Sequence, residues 1–313
     1  MRFDLNQYNA DMEDGNVLGM SVWWTVPDTK VTRTELKAAV QTAGLDEELI
    51  PKPSYRRAMR RVQHWLEHGV DEDGNDNKKH GRKKTGVMVR KVKETVDEFV
   101  LGVVQEGVDQ DAERLDYQHE TTYRYVKPQA STGNLGHFEA DGPLADDIMP
   151  RLHAYMDTAT DTEIRAIIMR VIRLASSVAL RPSGGVYFVP SQHAADVAKL
   201  DTMLRALGAG KVYVMRVPDG PQERAIAWEA AQADIETRID DLIAQAKATE
   251  KRLGALRKKE AAIDEMRDMV KLYERMTGYA ARIEEVEDRL NSAANVVATK
   301  IAELQQAKAA KTK

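Results

Sequence analysis

The chain has no cysteine. Disulfides, thiolate catalysis and cysteine-ligated zinc are therefore excluded. It also lacks any stretch near the ~18 uninterrupted apolar residues of a membrane span, so none is expected. Residues Met1–Ala10 carry Asp4 and no apolar run, and no signal peptide is expected there. Charge of one sign is missing as well. A formal net charge of -4 with 31% charged residues describes an ordinary soluble chain rather than a polycation seeking nucleic acid. These absences predict a cytoplasmic protein. They also leave the 313 residues long enough for a globular domain plus an extended element.

Proline is absent from Gln222 to Lys313, and there the pattern is continuously helical. Apolar or small residues recur at Ile235, Ile239, Leu242, Ala246, Thr249, Leu253 and Leu256, alternating steps of four and three. That is the heptad seam of a coiled coil. A second run reads Ile283, Val286, Leu290, Ala293 and Val297, continued by Ile301 and Leu304 after a one-residue slip. The same stretch holds 17 Lys or Arg and 17 Asp or Glu. A helix built for phosphates should be one-sidedly positive, whereas interspersed signs suit solvated faces beside a seam. Gly278 is the expected break if the arm folds into a hairpin, and Gly254 reads as tolerated inside the helix. A lone amphipathic helix cannot bury its own stripe, so self-association or a protein partner is expected.

Ahead of the arm, residues 1–15 are polar and expected to be loose. A globular α+β domain is expected over 16–220, with the coiled-coil helical arm over 221–313. Leu18 to Val26 reads as a strand ended by Pro27, placing Trp23 and Trp24 on opposite faces. Thr32 to Ala43 reads as a helix stopped by Gly44, and Ser54 to His68 as another. Short β-type runs at 86–93, 98–105, 115–117, 121–126 and 137–139 predict an antiparallel β-meander. Thr160 to Glu163 offers a capping box before a helix with apolar positions from Ile164 to Val178. Val186–Val189, the helical pattern 191–207 and Lys211–Val217 form a β-α-β unit. Pro221 fits the first position of the long helix.

His64-Trp65-Leu66-Glu67-His68 matches the H-x-x-E-H order of inverted zinc peptidases, with both histidines on one helix face and Glu67 as base. No third ligand stands out, and histidines near a helix C-terminus have a simpler electrostatic reason to be there. The loop Asp71 to Asn77 mimics a calcium loop but has Gly74 at position four and Arg82 at position twelve. Gly81 to Gly86 opens like a phosphate loop, yet Val87 and Met88 follow instead of Lys and Ser/Thr. Gly184-Gly185 precedes a strand rather than following one, unlike a nucleotide cradle. Basic clusters remain: Arg56, Arg57, Arg60 and Arg61 on one helix, and eight Lys or Arg between Lys78 and Lys93, among them Lys78, Lys79, Arg82, Lys83 and Lys84. Together they could meet phosphates.

The layout resembles an uncharacterised domain-of-unknown-function family of bacteria and phages. Val22-Trp23-Trp24, the stretch Pro51 to Arg61, and Gly184 to Pro190 leading into a charged helical tail carry the resemblance. It implies a bacterial or mobile-element setting and no activity. The expected function is a non-enzymatic assembly or adaptor protein that oligomerises or binds a protein through its arm, without cofactor, metal or small-molecule substrate. The alternatives are nucleic-acid binding through 56–61 and 78–93, and zinc hydrolysis at His64, Glu67 and His68.

Overall fold

Trp23 and Trp24 sit near the end of β1 (Val17–Thr25), the strand that lies inside a four-stranded sheet. The computed structural model describes residues 17–68, 87–95, 98–108, 115–126, 137–141, 145–181, 185–248, 253–279 and 283–311. The fold is mixed α+β, with antiparallel sheets and eight α-helices among the described residues. It divides into two units. One holds the described residues of Met1–Thr29, Glu35–Ile50 and Asp161–Lys313, the other Lys30–Thr34 and Pro51–Thr160.

In the first unit β1 pairs antiparallel with β9 (Tyr187–Pro190) on one side and β10 (Lys211–Pro218) on the other. The expected β-α-β unit is present, with α5 (Ala194–Leu207) joining β9 to β10. Its two strands run parallel but are not neighbours, because β1 lies between them. β8 (Val178–Ala179) closes the far edge. Met20, Val22 and Val189 are fully buried in this sheet. Gly19 is required by close approach: a Cβ there would meet Phe188 at 2.5 Å and the Val189 carbonyl oxygen at 2.6 Å. α1 (Arg33–Thr42) ends as expected at Gly44, which takes the left-handed φ of +66°. α4 (Asp161–Leu174) buries Ile164, Ile167, Ile168, Val171 and Ile172. Its apolar stripe was expected to continue to Val178, but Ser176 turns left-handed (φ 50°) and Val178 enters β8 instead. The spacing of a buried residue does not say whether helix or strand delivers it.

The C-terminal third forms three packed helices: α6 (Pro221–Lys247), α7 (Leu253–Thr277) and α8 (Ile283–Lys311). Gly278 does break the helix, with φ +73°. A second break, between Lys247 and Leu253, was not expected, and it splits the first seam after Ala246. Gly254 then falls in the first turn of α7 rather than inside one long helix. Neighbouring helices run antiparallel: Gln245 meets Lys259, Arg238 meets Met269, and Arg267 meets Asn291. α8 therefore runs beside α6 in the same direction, and Arg289 pairs with both Glu236 and Asp240. The boundary expected at Pro221 falls inside this unit, because Ala227, Trp228 and Ala231 share one core with Leu18, Val178 and Phe188 of the sheet.

The second unit contains β3 (Val87–Glu94), β4 (Glu98–Val108), β5 (Leu115–Val126) and β6 (His137–Asp141) in consecutive antiparallel order. This is the expected meander, with the pieces 115–117 and 121–126 joined in one strand. Phe99, Leu101, Val103 and Tyr123 lie in one core with residues of α2 (Tyr55–His68) and α3 (Ala145–Asp157). Arg124 bonds Glu98 and Glu139, and Glu98 also meets Lys93 at 2.6 Å, a chain of ion pairs across the strands. A short pair, β2 (Lys30–Thr32) with β7 (Thr158–Thr160), completes the unit.

Candidate interaction surface

β10 is the edge strand of its sheet, and among the described residues nothing pairs with its outer side. Its register against β1 puts Tyr213 opposite Trp23, where the two rings stack at 5.5 Å and 6°. Lys211, two residues back on the same face, holds its ammonium 5.2 Å from the Tyr213 centroid. Met215, two residues forward, is 58% exposed. On the opposite face Trp24 stacks on Tyr187 at 5.4 Å. The alternation expected for Trp23 and Trp24 thus puts each in an aromatic pair, and both indoles are half-buried. Arg216 is exposed on the face opposite Met215, so this part of β10 is open on both faces.

The seam residues lie elsewhere. Ile235, Ile239, Leu242 and Ala246 on α6 share a single core with Ile283, Val286, Leu290 and Val297 on α8. Leu256 is fully buried and Leu253 half-buried at the start of α7. Met266, Met269 and Tyr273 of α7 complete the interior. All three stripes find cover within one chain.

A polar cluster that periodicity does not reveal joins these helices to the sheet. Arg238 pairs with Asp234 one turn back at 2.5 Å and donates to the Ser177 carbonyl oxygen at 3.1 Å. Burial pushes the Asp234 carboxyl up, against the opposing pull of Arg238 and Arg173. The buried Tyr273 hydroxyl donates to the Ser176 carbonyl oxygen at 3.0 Å, and its own ionisation is pushed well up, first by burial and then by Asp234. At the start of α6, Arg224 grips both oxygens of Asp219 at 2.5 and 2.7 Å, holding that carboxyl below the ordinary aspartate range. The signal open to a reader of the sequence was the i, i+4 spacing of Asp234 and Arg238.

The basic and histidine motifs separate. On α2, Arg57 and Arg60 are exposed, while Arg61 is only 5% exposed and lies over the Tyr155 ring at 4.1 Å. A helix places neighbours about 100° apart, so a run of arginines cannot share one face. Arg151 of α3 covers Trp65 in the same manner, at 4.1 Å. The side chains of Arg56, Glu67 and His68, and the residues Lys78, Lys79, Arg82, Lys83 and Lys84, lie outside the described ones. His64 is half-buried on α2. Among the described residues no three His, Asp or Glu side chains converge as a metal site requires.

Two of the three segments that carried the resemblance meet in the first sheet, where Val22 of β1 is opposite Tyr187 of β9. The chain belongs to DUF6744, a family of unknown function. The match runs over residues 17–311, from the first residue of β1 to the last of α8. No curated protein and no solved structure matches the chain. Membership in DUF6744 therefore brings no activity with it. No described helix of this DUF6744 chain is long and apolar enough to cross a membrane.

Proposed function

We propose that this chain is a non-enzymatic assembly or adaptor protein. Its C-terminal helices act as a folded coiled-coil arm, and a second copy joins at the edge of the first sheet. The observation that carries the reading is the open edge of β10, with Met215 exposed beside the stacked Trp23 and Tyr213. An edge strand offers a row of backbone donors and acceptors to another strand. In an antiparallel pair about a two-fold axis at Val214, Tyr213 would lie opposite Met215 of the second copy. That puts sulfur against aromatic ring on both sides of the axis. Charged residues often guard such edges, but Lys211 is drawn over Tyr213.

The seam at Ile239 and Leu242 is occupied within the chain, so assembly has to use another surface. Light scattering on the intact chain and on Met215→Glu tests the reading. The expected result is a parent at twice 35.1 kDa and a variant that is monomeric at tens of micromolar with an unchanged far-UV helical signal. A monomeric parent, or a variant that keeps the parent's mass, overturns self-assembly through β10.

A further inference from the structure

The charges of residues 222–313 cancel in sum, but they fall in blocks that the fold gathers at opposite ends of the bundle. The bundle is fastened to the rest of its unit at one end: Arg224 to Asp219, Arg238 to Ser177 and Tyr273 to Ser176. The cross-helix pairs place Leu242, Ile263 and Ala293, all buried, at about the same level of the bundle. On the fastened side of that level the described residues include 6 Lys or Arg against 14 Asp or Glu. Among the described residues beyond it stand Lys247, Arg257, Lys258, Lys259 and Lys300, with only Glu260 and Glu303 opposing them.

Three of these cations are poorly explained by the helices themselves. Lys247 at the end of α6 complements the partial negative charge of that terminus. Arg257, Lys258 and Lys259 instead follow directly on the first turn of α7, which carries no acid. Cations near a helix N-terminus gain nothing from its dipole. Lys300 is paired with Glu303 at 2.8 Å, and Lys259 bonds the neutral Gln245. Lys247, Arg257 and Lys258 are exposed and have no ion-pair partner among the described residues.

We infer that this free end of the bundle docks on the phosphate backbone of duplex nucleic acid. The chemistry is multivalent charge neutralisation by side chains from α6 and α7, which reads phosphates and not bases. An anionic membrane would carry the same charge, but surface-bound helices also insert apolar side chains. The exposed large apolar residues among those described are Val92, Leu174, Met215, Ile226 and Tyr279, and none lies at this end. Stacked aromatics of the kind that hold single strands are likewise not among its described residues. The inference goes beyond the assembly reading and uses the opposite end of the unit from its fastening.

The test is fluorescence anisotropy of a labelled random-sequence DNA duplex with the intact chain, over a salt series. With about four phosphates neutralised, affinity should fall about 100-fold between 50 and 200 mM salt. The variant Lys247→Glu/Arg257→Glu/Lys258→Glu should lose at least ~10-fold in affinity at low salt and show a shallower salt slope, with mass and melting unchanged. The control Arg57→Glu/Arg60→Glu should bind as the parent does. No binding at 50 mM salt, an undiminished triple variant, or loss in the α2 control overturns the inference. So does equal capture of the parent by vesicles of phosphatidylserine that the triple variant loses. A failure of the Met215 experiment leaves these readouts untouched, so the two proposals fail separately.

Discussion

Arg238 donates to the carbonyl oxygen of Ser177 at 3.1 Å, and through it α6 is tied to the turn that leads into the sheet. The same guanidinium neutralises Asp234, whose carboxyl burial pushes up. Removing it as Arg238→Met strands a largely buried carboxylate. The expected cost is about 2 kcal/mol, below the ~3–5 kcal/mol of a fully buried pair. An acid whose folded-state pKa is raised contributes most below its unfolded value and loses that contribution as pH rises through the raised value. The variant should therefore lose more stability at pH 7 than in mild acid, as read from urea midpoints at both.

Asp219 has the opposite sign. Its carboxyl is held low by hydrogen bonds from Arg224, so the clamp stabilises above the ordinary aspartate range and weakens as pH falls through the lowered value. Asp219→Asn should lower stability at neutral pH and flatten the acid side of the profile. An acid limb identical to the parent's would show that the clamp contributes nothing.

Ile239 is fully buried between helices of its own chain. Ile239→Ala should cost about 2–5 kcal/mol and leave the chain with the parent's mass in solution by light scattering. A variant that falls to half the parent's mass would place the seam between chains instead.

Adjacent arginines on α2 should behave differently. Arg61→Ala removes a buried guanidinium from the face of Tyr155 and should cost about 1–2 kcal/mol. Arg60→Ala, at an exposed position, should stay within about 0.5 kcal/mol. Equal midpoints for the two variants would contradict this arrangement.

Two glycines in the C-terminal helices should part company in the same way. Gly254 has open space around its missing Cβ and helical backbone, so Gly254→Ala should stabilise by about 0.5 kcal/mol. Gly278 has φ +73°, and alanine there should cost about 1 kcal/mol. Thermal melts of the two variants should shift in opposite directions.

Periodicity by itself determined which faces are apolar. The four-and-three spacing on α6, the alternation around Trp23 and Trp24, and the β-type runs of the meander all depend on residues at most four apart, and the fold reproduces them. Tertiary structure decided what covers those faces. Ile239 and Leu256 read as one seam because their spacing stays in phase, yet α6 ends at Lys247 and α7, starting at Leu253, runs antiparallel to it, so the two sit on different helices. Arg60 and Arg61 are chemically alike in the sequence, and only the position of Tyr155 on α3 draws one of them inward. The charges of residues 222–313 cancel in sum, and among the described residues the antiparallel helices gather them into two ends of opposite sign. Helix propensity acts within a turn or two, whereas burial brings together residues fifty positions apart, and the pairing of Arg289 with Asp240 records which ones.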